Sequence, residues 1–266
     1  MAQTHLGTAL ITGASSGIGA LYAEKLAQRG YDLILVARNR EQLTALASSI
    51  STRTGRAVEV LPTDLNNRAE LARVEEQLRT DASITLLVNN AGMGTHTPLL
   101  HSDVEKMTRM VDLNATVPMR LAYAAAPGFV ARGRGAIINI ASIVAISPET
   151  LNGVYGASKA FVLAFSQSLQ HELTDKGVRV QAVLPGATAT DFWAIGGLPI
   201  ENLDASIVMS AEDLVDAALL WFERGEKVSI PSLHAGEKWD AYEAARRAMA
   251  GQLSSNIVAQ RYAAAH

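Results

Sequence analysis

Short, almost uninterrupted apolar runs alternate along this chain with longer stretches in which apolar positions recur three and four residues apart. The first kind of pattern belongs to strands buried on both faces, the second to amphipathic helices. Apolar runs predict strands at 8–12, 32–37 (DLILVA), 57–61, 84–88, 135–141 (GAIINIA) and 178–184, with a shorter one at 228–230. Helices are predicted at 17–29, with Ile18, Leu21, Tyr22 and Leu26 on one face, and at 40–53, 68–79, 103–132, 154–173 and 211–224. Residues 185–210 are loop-rich, and 237–265 read as mostly helical. Apolar strands separated by helices imply a doubly wound α/β architecture, a parallel sheet of about seven strands with helices on both faces and right-handed crossovers. No shift in composition and no flexible linker interrupts the alternation. Residues 1–266 therefore read as one domain, with 186–210 as a substrate loop or lid and 237–265 as a C-terminal helical extension.

Composition narrows the function more than the fold. Hydrophobic residues make up 48% and charged residues 18%, enough apolar surface to exclude intrinsic disorder. The net charge of −3 offers no electrostatic footprint for nucleic acid. Cysteine is absent, which excludes disulfides, a thiolate nucleophile and cysteine-ligated zinc. The six histidines are scattered without metal-ligand spacing, so no metal site is expected. Residues 1–7 lack the basic start of a secretory signal, and no apolar run is long enough to span a bilayer. A cytoplasmic protein with no membrane partner is the expectation.

The chemistry begins at the first strand-to-helix turn, Leu10-Ile11-Thr12-Gly13-Ala14-Ser15-Ser16-Gly17-Ile18-Gly19. Glycines here allow positive φ and a close backbone approach to a pyrophosphate, and the helix start offers unpaired N–H groups. The spacing, T-G-x-x-x-G-x-G, resembles that of the short-chain dehydrogenase/reductase family. Other segments agree in order along the chain: Asp64 after the third strand, Asn89-Asn90-Ala91-Gly92 after the fourth, and Asn114 in the long middle helix. They continue with Ser142 at the end of the fifth strand, Tyr155-x-x-x-Lys159, then Pro185-Gly186 and Thr188. The resemblance implies a Rossmann-type, compact NADP-preferring enzyme, with Gly13, Ser15, Ser16, Gly17, Ile18 and Gly19 at the cofactor. It also implies Asp64 and Leu65 at the adenine, Asn90 and Ala91 on the adenosine side, and Gly92, Pro185, Gly186 and Thr188 elsewhere along the cofactor. Asp64 also stands where a helix N-cap would.

The end of the second strand reads Val36-Ala37-Arg38-Asn39-Arg40, without the carboxylate that holds an NAD ribose; Asp32 lies at the strand's other end. Arg38 can stack on adenine and bond a 2′-phosphate, so NADP(H) is expected over NAD(H). Hydride transfer to a carbonyl leaves an alkoxide that needs a proton. Tyr155 can give it if its phenolate is stabilised by about 4 kcal/mol, corresponding to roughly three pKa units. Lys159 lies one helical turn away on the same face, and Ser142 can polarise the substrate oxygen. The family resemblance further implies that Lys159 grips the nicotinamide ribose and that Asn114 orders a relay water.

The substrate wall is expected from Phe192, Trp193, Ile195 and Leu198, opposite Met93, Ile143, Ala145, Ile146 and Leu151, with Gly196-Gly197-Leu198-Pro199 as hinge chemistry. This predicts an apolar carbonyl or alcohol substrate. Phe161, Val162, Phe165 and Leu169 form one stripe, and Trp239, Tyr242, Ala245, Met249 and Leu253 another; by analogy with the family a homodimer or homotetramer is expected. Two alternatives stay open: a 3-oxoacyl-thioester reductase, and a non-catalytic NADP(H)-sensing protein.

Overall fold

Along the chain run β1 (Thr8–Thr12), α1 (Gly17–Gln28), β2 (Asp32–Ala37), α2 (Arg40–Thr54), β3 (Val58–Pro62), α3 (Arg68–Thr80) and β4 (Ile84–Asn89). There follow α4 (Val104–Val111), α5 (Val117–Ala131), β5 (Gly135–Ile140), α6 (Gly153–Leu173), β6 (Val178–Val183), β7 (Thr188–Ala189), α7 (Phe192–Ile195), β8 (Met209–Ser210), α8 (Ala211–Glu223) and β9 (Val228–Ser229). This is a computed structural model, and it describes residues 6–262. Seven strands form one sheet in the order β3-β2-β1-β4-β5-β6-β9, every neighbouring pair parallel. The winding reverses between β1 and β4, which opens a crevice at the carboxyl ends of those strands.

The period-2 geometry of a strand splits the core between the two faces. On β1, Ala9 and Ile11 pack with Tyr22 and Leu26 of α1, Leu43 of α2 and Phe222 of α8. Leu10 faces the other way, with Leu71 of α3, Leu121 and Phe129 of α5 and Leu169 of α6. Both sides are apolar, which is why the strands lack polar alternation.

The stretch 103–132 is not one regular helix. α4 and α5 are joined through a π-turn at Asp112–Thr116, in which the Val117 N–H bonds to the Asp112 carbonyl. Pro118 supplies the reason: it has no N–H to give, and its ring crowds the carbonyl four residues back, that of Asn114. The wider turn accommodates both. π-turns inside helices recur at functional positions, and this one carries Asn114.

A buried polar chain ties α6 to the sheet. Asn89 Nδ2 donates to Asn139 Oδ1 at 2.9 Å, and Asn139 Nδ2 donates to Ser166 Oγ at 2.8 Å. Asn139 and Ser166 are fully buried, so these bonds have no water to replace them.

By internal contacts the chain divides into two units, one through Pro231 and a shorter one from Ser232. The second holds α9 (Gly236–Met249), in which Arg246 and Arg247 both pair with Glu243 and Trp239 stacks on Tyr242. Only single 3-10 turns at Ala250–Gln252 and Gln260–Tyr262 follow, so the predicted helix over 237–265 stops at Met249; residues 263–265 lie outside the described residues. Gly251 and the Ser254-Ser255 pair are poor helix formers and account for the stop. Among the described residues no helix is long and apolar enough to cross a membrane.

Replacing Asn139 by Ala strands a donor on Asn89 and removes the donor to Ser166. The expected outcome is a loss of about 2 kcal/mol in urea unfolding at an unchanged denaturant slope.

Candidate active site

The glycine turn leaves β1 with Gly13 at φ +66° and Gly17 at φ +54°, both in the left-handed region. Gly19 is demanded by contact: a Cβ there would lie 2.3 Å from the Gly13 carbonyl oxygen and 2.5 Å from Asn90 Nδ2. Asn90, just past β4, donates from Nδ2 to the carbonyls of Thr12 (2.9 Å) and Gly13 (3.1 Å). Thr12 Oγ1 accepts in return from the backbone N–H groups of Asn90 and Ala91, both at 3.0 Å. The turn is thereby stapled across the crevice to the end of β4. The Asn90 amide, assigned from sequence to the cofactor, is engaged by the turn itself.

Asn39, Asn67, Asn152 and Ser210 cap α2, α3, α6 and α8 with their side chains. α1 differs: its N-cap, Ser16, makes no side-chain bond, and its first turn holds no acidic residue. The positive helix end is left for an anion, and Ser15, Ser16 and Ile18 surround it with partly exposed side chains. These residues fit the pyrophosphate of a dinucleotide. Arg38 is exposed at the carboxyl end of β2, while Asp32 at the opposite end accepts the Ala57 N–H. Asp64 is not a helix cap. Its Oδ1 accepts from the Asn66 N–H, and Asn67 caps α3 instead; Leu65 is buried.

Ser142 lies two residues beyond the end of β5, and Tyr155 and Lys159 stand one turn apart on α6, whose start Asn152 fixes by accepting from the N–H groups of Val154 and Tyr155. All three side chains are more than nine-tenths buried. Burial pushes the Tyr155 phenol up to about 12, against the influence of the Ser142 hydroxyl, which favours the phenolate. Burial also lowers the Lys159 ammonium to about 8. Its Nζ donates to the Ile140 carbonyl at 2.9 Å and lies 6.0 Å from the centre of the Tyr155 ring.

Asn114 acts as a clamp. Its Oδ1 accepts from Met93 N (2.9 Å), and its Nδ2 donates to Met93 O (2.8 Å) and Ser158 Oγ (3.0 Å). The loop after β4 is held against α6 so closely that a Cβ on Gly92 would sit 3.2 Å from Asn114 Oδ1 and 3.4 Å from Lys159 Nζ. After β6, the Pro185 carbonyl accepts from Ile143 N at 3.0 Å, and Thr188 Oγ1 donates to the Gly186 carbonyl. β7 and β8 pair and close the intervening 190–208 segment into a loop.

Beside Tyr155 lies a small cleft walled by Leu151, Phe192, Trp193 and Leu198, as the sequence suggested, and also by Gly94 and His96, which it did not. Ile195 is 82% exposed and forms no wall. Gly94 was legible only as a second glycine close behind the Asn90-Ala91-Gly92 run. Among the described residues no cluster of His, Asp or Glu has the arrangement of a metal site.

A dinucleotide-type cradle beside a buried serine, tyrosine and lysine defines an oxidoreductase class of site. The short chain dehydrogenase family matches residues 7–195, and the chain belongs to it. A short-chain dehydrogenase from Sphingobium yanoikuyae in complex with NADPH is 48% identical, with a TM-score of 0.93 over 97% of this chain and 100% of that one. The bulky-bulky ketone specific alcohol dehydrogenase from Comamonas testosteroni is 45% identical, with a TM-score of 0.90 over 97% and 99%. An uncharacterized oxidoreductase of Staphylococcus epidermidis is 32% identical over 218 residues, 78% of this chain and 92% of that protein.

The lowered Lys159 carries a stability consequence. Its folded value, about 8, lies below the ordinary 10.5, so between those pH values the unfolded chain holds the extra proton and stability rises with pH. Lys159→Met removes the buried charge and leaves one carbonyl, that of Ile140, without its donor. It is expected to stabilise the protein at pH 7 by about 2 kcal/mol and to flatten that rise, as read by urea unfolding from pH 7 to 10.

Proposed function

We propose that this protein reduces an uncharged, apolar ketone or aldehyde with NADPH, or oxidises the matching alcohol with NADP+, and that Tyr155 is the general acid and base. The observation that carries this reading is the burial of Tyr155, Lys159 and Ser142 beside the glycine cradle, with Tyr155 lining a largely apolar cleft. NADP(H) would be held by the N–H groups at the start of α1, with Arg38 on the 2′-phosphate, and would supply or take the hydride. The NADPH bound to the Sphingobium relative and the ketone substrates named for the Comamonas enzyme support the same direction.

Each residue's part follows from its surroundings. The Tyr155 phenol is protonated at neutral pH, the state a proton donor needs. Burial raises its pKa rather than lowering it as the sequence reading requires, so stabilising its phenolate falls to Ser142 and to the charge on Lys159. When it gives its proton, the phenolate is left facing the Ser142 hydroxyl and near the Lys159 ammonium, in a low dielectric that strengthens both. Ser142 also orients the carbonyl oxygen toward the phenol. Asn114 positions the loop that passes over Lys159. A thioester reductase remains the second substrate class of the same chemistry; the absence of any lysine or arginine in the cleft wall disfavours an acyl carrier's phosphate there.

A homo-oligomer is part of the proposal. On α5 and α6, Tyr123, 70% exposed, stacks on Phe165, which stacks on Phe161, a ring ladder on the surface that a second copy would cover.

Tyr155→Phe is expected to lower kcat for ketone reduction by about a thousandfold while NADPH still binds; full turnover would displace the proton donor. Reduction is expected to weaken as pH rises through about 8, where Lys159 loses the charge that stabilises the phenolate. Arg38→Ala is expected to cost roughly tenfold or more in kcat/KM for NADPH and to leave that for NADH nearly unchanged. Equal losses with both cofactors would remove Arg38 from the 2′-phosphate.

A further inference from the structure

We infer that Phe192, seated on Gly94, sets the size of substituent the substrate carbonyl can carry, and that the two residues act as one unit; this rests on the ketone-reductase reading above. The Phe192 ring centre lies 5.8 Å from that of Tyr155, tilted by 45°, so the ring stands immediately beside the proton donor. It packs against the buried set of Met110, Val144 and Tyr155. On its far side Trp193 meets it edge-on at 6.0 Å, and the Trp193 indole N–H is itself tied to the Thr188 carbonyl at 2.9 Å.

The decisive contact is with Gly94. A Cβ at that position would fall 2.3 Å from Phe192 Cζ and 3.1 and 3.2 Å from the two Cε atoms. No side chain tolerates that separation, so the ring can occupy this place only because residue 94 is glycine. His96 Nδ1 and the Gly196 carbonyl, 3.1 Å apart, join the same two loops once more, which keeps the ring from lifting away. The backbone of one loop thus provides a slot, and the ring of the other fills it.

The consequence for substrate follows from the cleft's lining. Besides His96 and Thr95 the lining is apolar or aromatic side chains and glycines, and among the described residues no carboxylate, lysine or arginine faces it, so selection there is chiefly by shape. A carbonyl held by Tyr155 and Ser142 must place one of its substituents against the Phe192 ring. The ring therefore caps that substituent's size. Removing the ring frees a volume comparable to a phenyl group, and adding a methyl at residue 94 forces the ring to a new position.

The test is a set of ketones of rising bulk, butanone, acetophenone and benzophenone, reduced with NADPH by the wild type, Phe192→Ala, Phe192→Leu, Gly94→Ala and the Gly94→Ala/Phe192→Ala double variant. Phe192→Ala is expected to raise the benzophenone-to-butanone ratio of kcat/KM roughly tenfold or more, with Phe192→Leu between it and the wild type. Gly94→Ala is expected to shift the ratio in the wild-type background and not in the Phe192→Ala background, where the clash has gone. NADPH affinity should stay the same in all of them. An unchanged ratio in the Phe192 variants overturns the inference, as does an equal effect of Gly94→Ala in both backgrounds. If Phe192→Ala does not fold, Phe192→Leu and Gly94→Ala decide it by the same ratio. A wild type that reduces none of the ketones removes the functional reading, and this inference with it.

Discussion

Five consecutive residues after β4, Asn90 to Gly94, hold the site together. Asn90 secures the glycine turn through the carbonyls of Thr12 and Gly13. Gly92 passes over Lys159, Met93 is gripped through its backbone by Asn114, and Gly94 gives Phe192 its seat. Each contact is to backbone or to a glycine where a Cβ would be tight, at Gly92, or would collide, at Gly94. The segment is therefore fixed largely by main-chain contacts, and the glycine turn, Lys159 and the seat of Phe192 are placed relative to one another through it. β4 lies at the centre of the sheet, buried along its whole length, and gives this segment a rigid origin.

The site is held at a cost that the rest of the fold offsets. An ammonium and a phenol are both buried, and desolvation works against the charged form of each. The protein does not place a carboxylate beside Lys159; it provides the Ile140 carbonyl, a dipole that satisfies one N–H without neutralising the charge. A carboxylate there would have stabilised the ammonium but would also have opposed the phenolate that Lys159 is proposed to stabilise. The polar chain Asn89–Asn139–Ser166 anchors α6 to the sheet from below and keeps Tyr155 and Lys159 at their depth.

The sheet was legible because buried parallel strands leave an unmistakable mark, a run such as DLILVA with no polar alternation. The glycine turn and the Tyr155–Lys159 pair were legible because they occur together, in order, in a strand-turn-helix context that resembles the short-chain dehydrogenase/reductase family. What could not be read lies in local backbone geometry that composition leaves open and, for Gly94, in a contact with a segment distant along the chain. The capping of α3 by Asn67 rather than Asp64 depends on where the chain turns, which local composition leaves open. The π-turn around Asn114 follows from Pro118, four residues on, whose effect is to widen the helix there rather than to end it, an outcome the apolar periodicity does not show. Gly94 looks like any loop glycine until Phe192, almost a hundred residues later, is placed against it. Ile195 is as apolar as its neighbours, but the single turn of α7 points it outward, and periodicity cannot show that over four residues.

These differences separate two kinds of residue in the site. The parts proposed to carry the chemistry are anchored by the sheet, by α6 and by backbone hydrogen bonds, so changing them costs stability, turnover or both. The wall is carried on a loop whose ends are pinned by the short β7–β8 pair and whose interior is positioned by side-chain packing, Phe192 on Gly94 and Trp193 on the Thr188 carbonyl. Such packing can be rearranged by one or two substitutions without disturbing a main-chain bond of the cradle. On the proposed reading, a fold arranged in this way would keep its hydride and proton geometry constant while the shape of the substrate it admits varied. An identity such as the 48% shared with the Sphingobium protein over 97% of this chain would, on that reading, still leave the substrate to a few side chains at the rim.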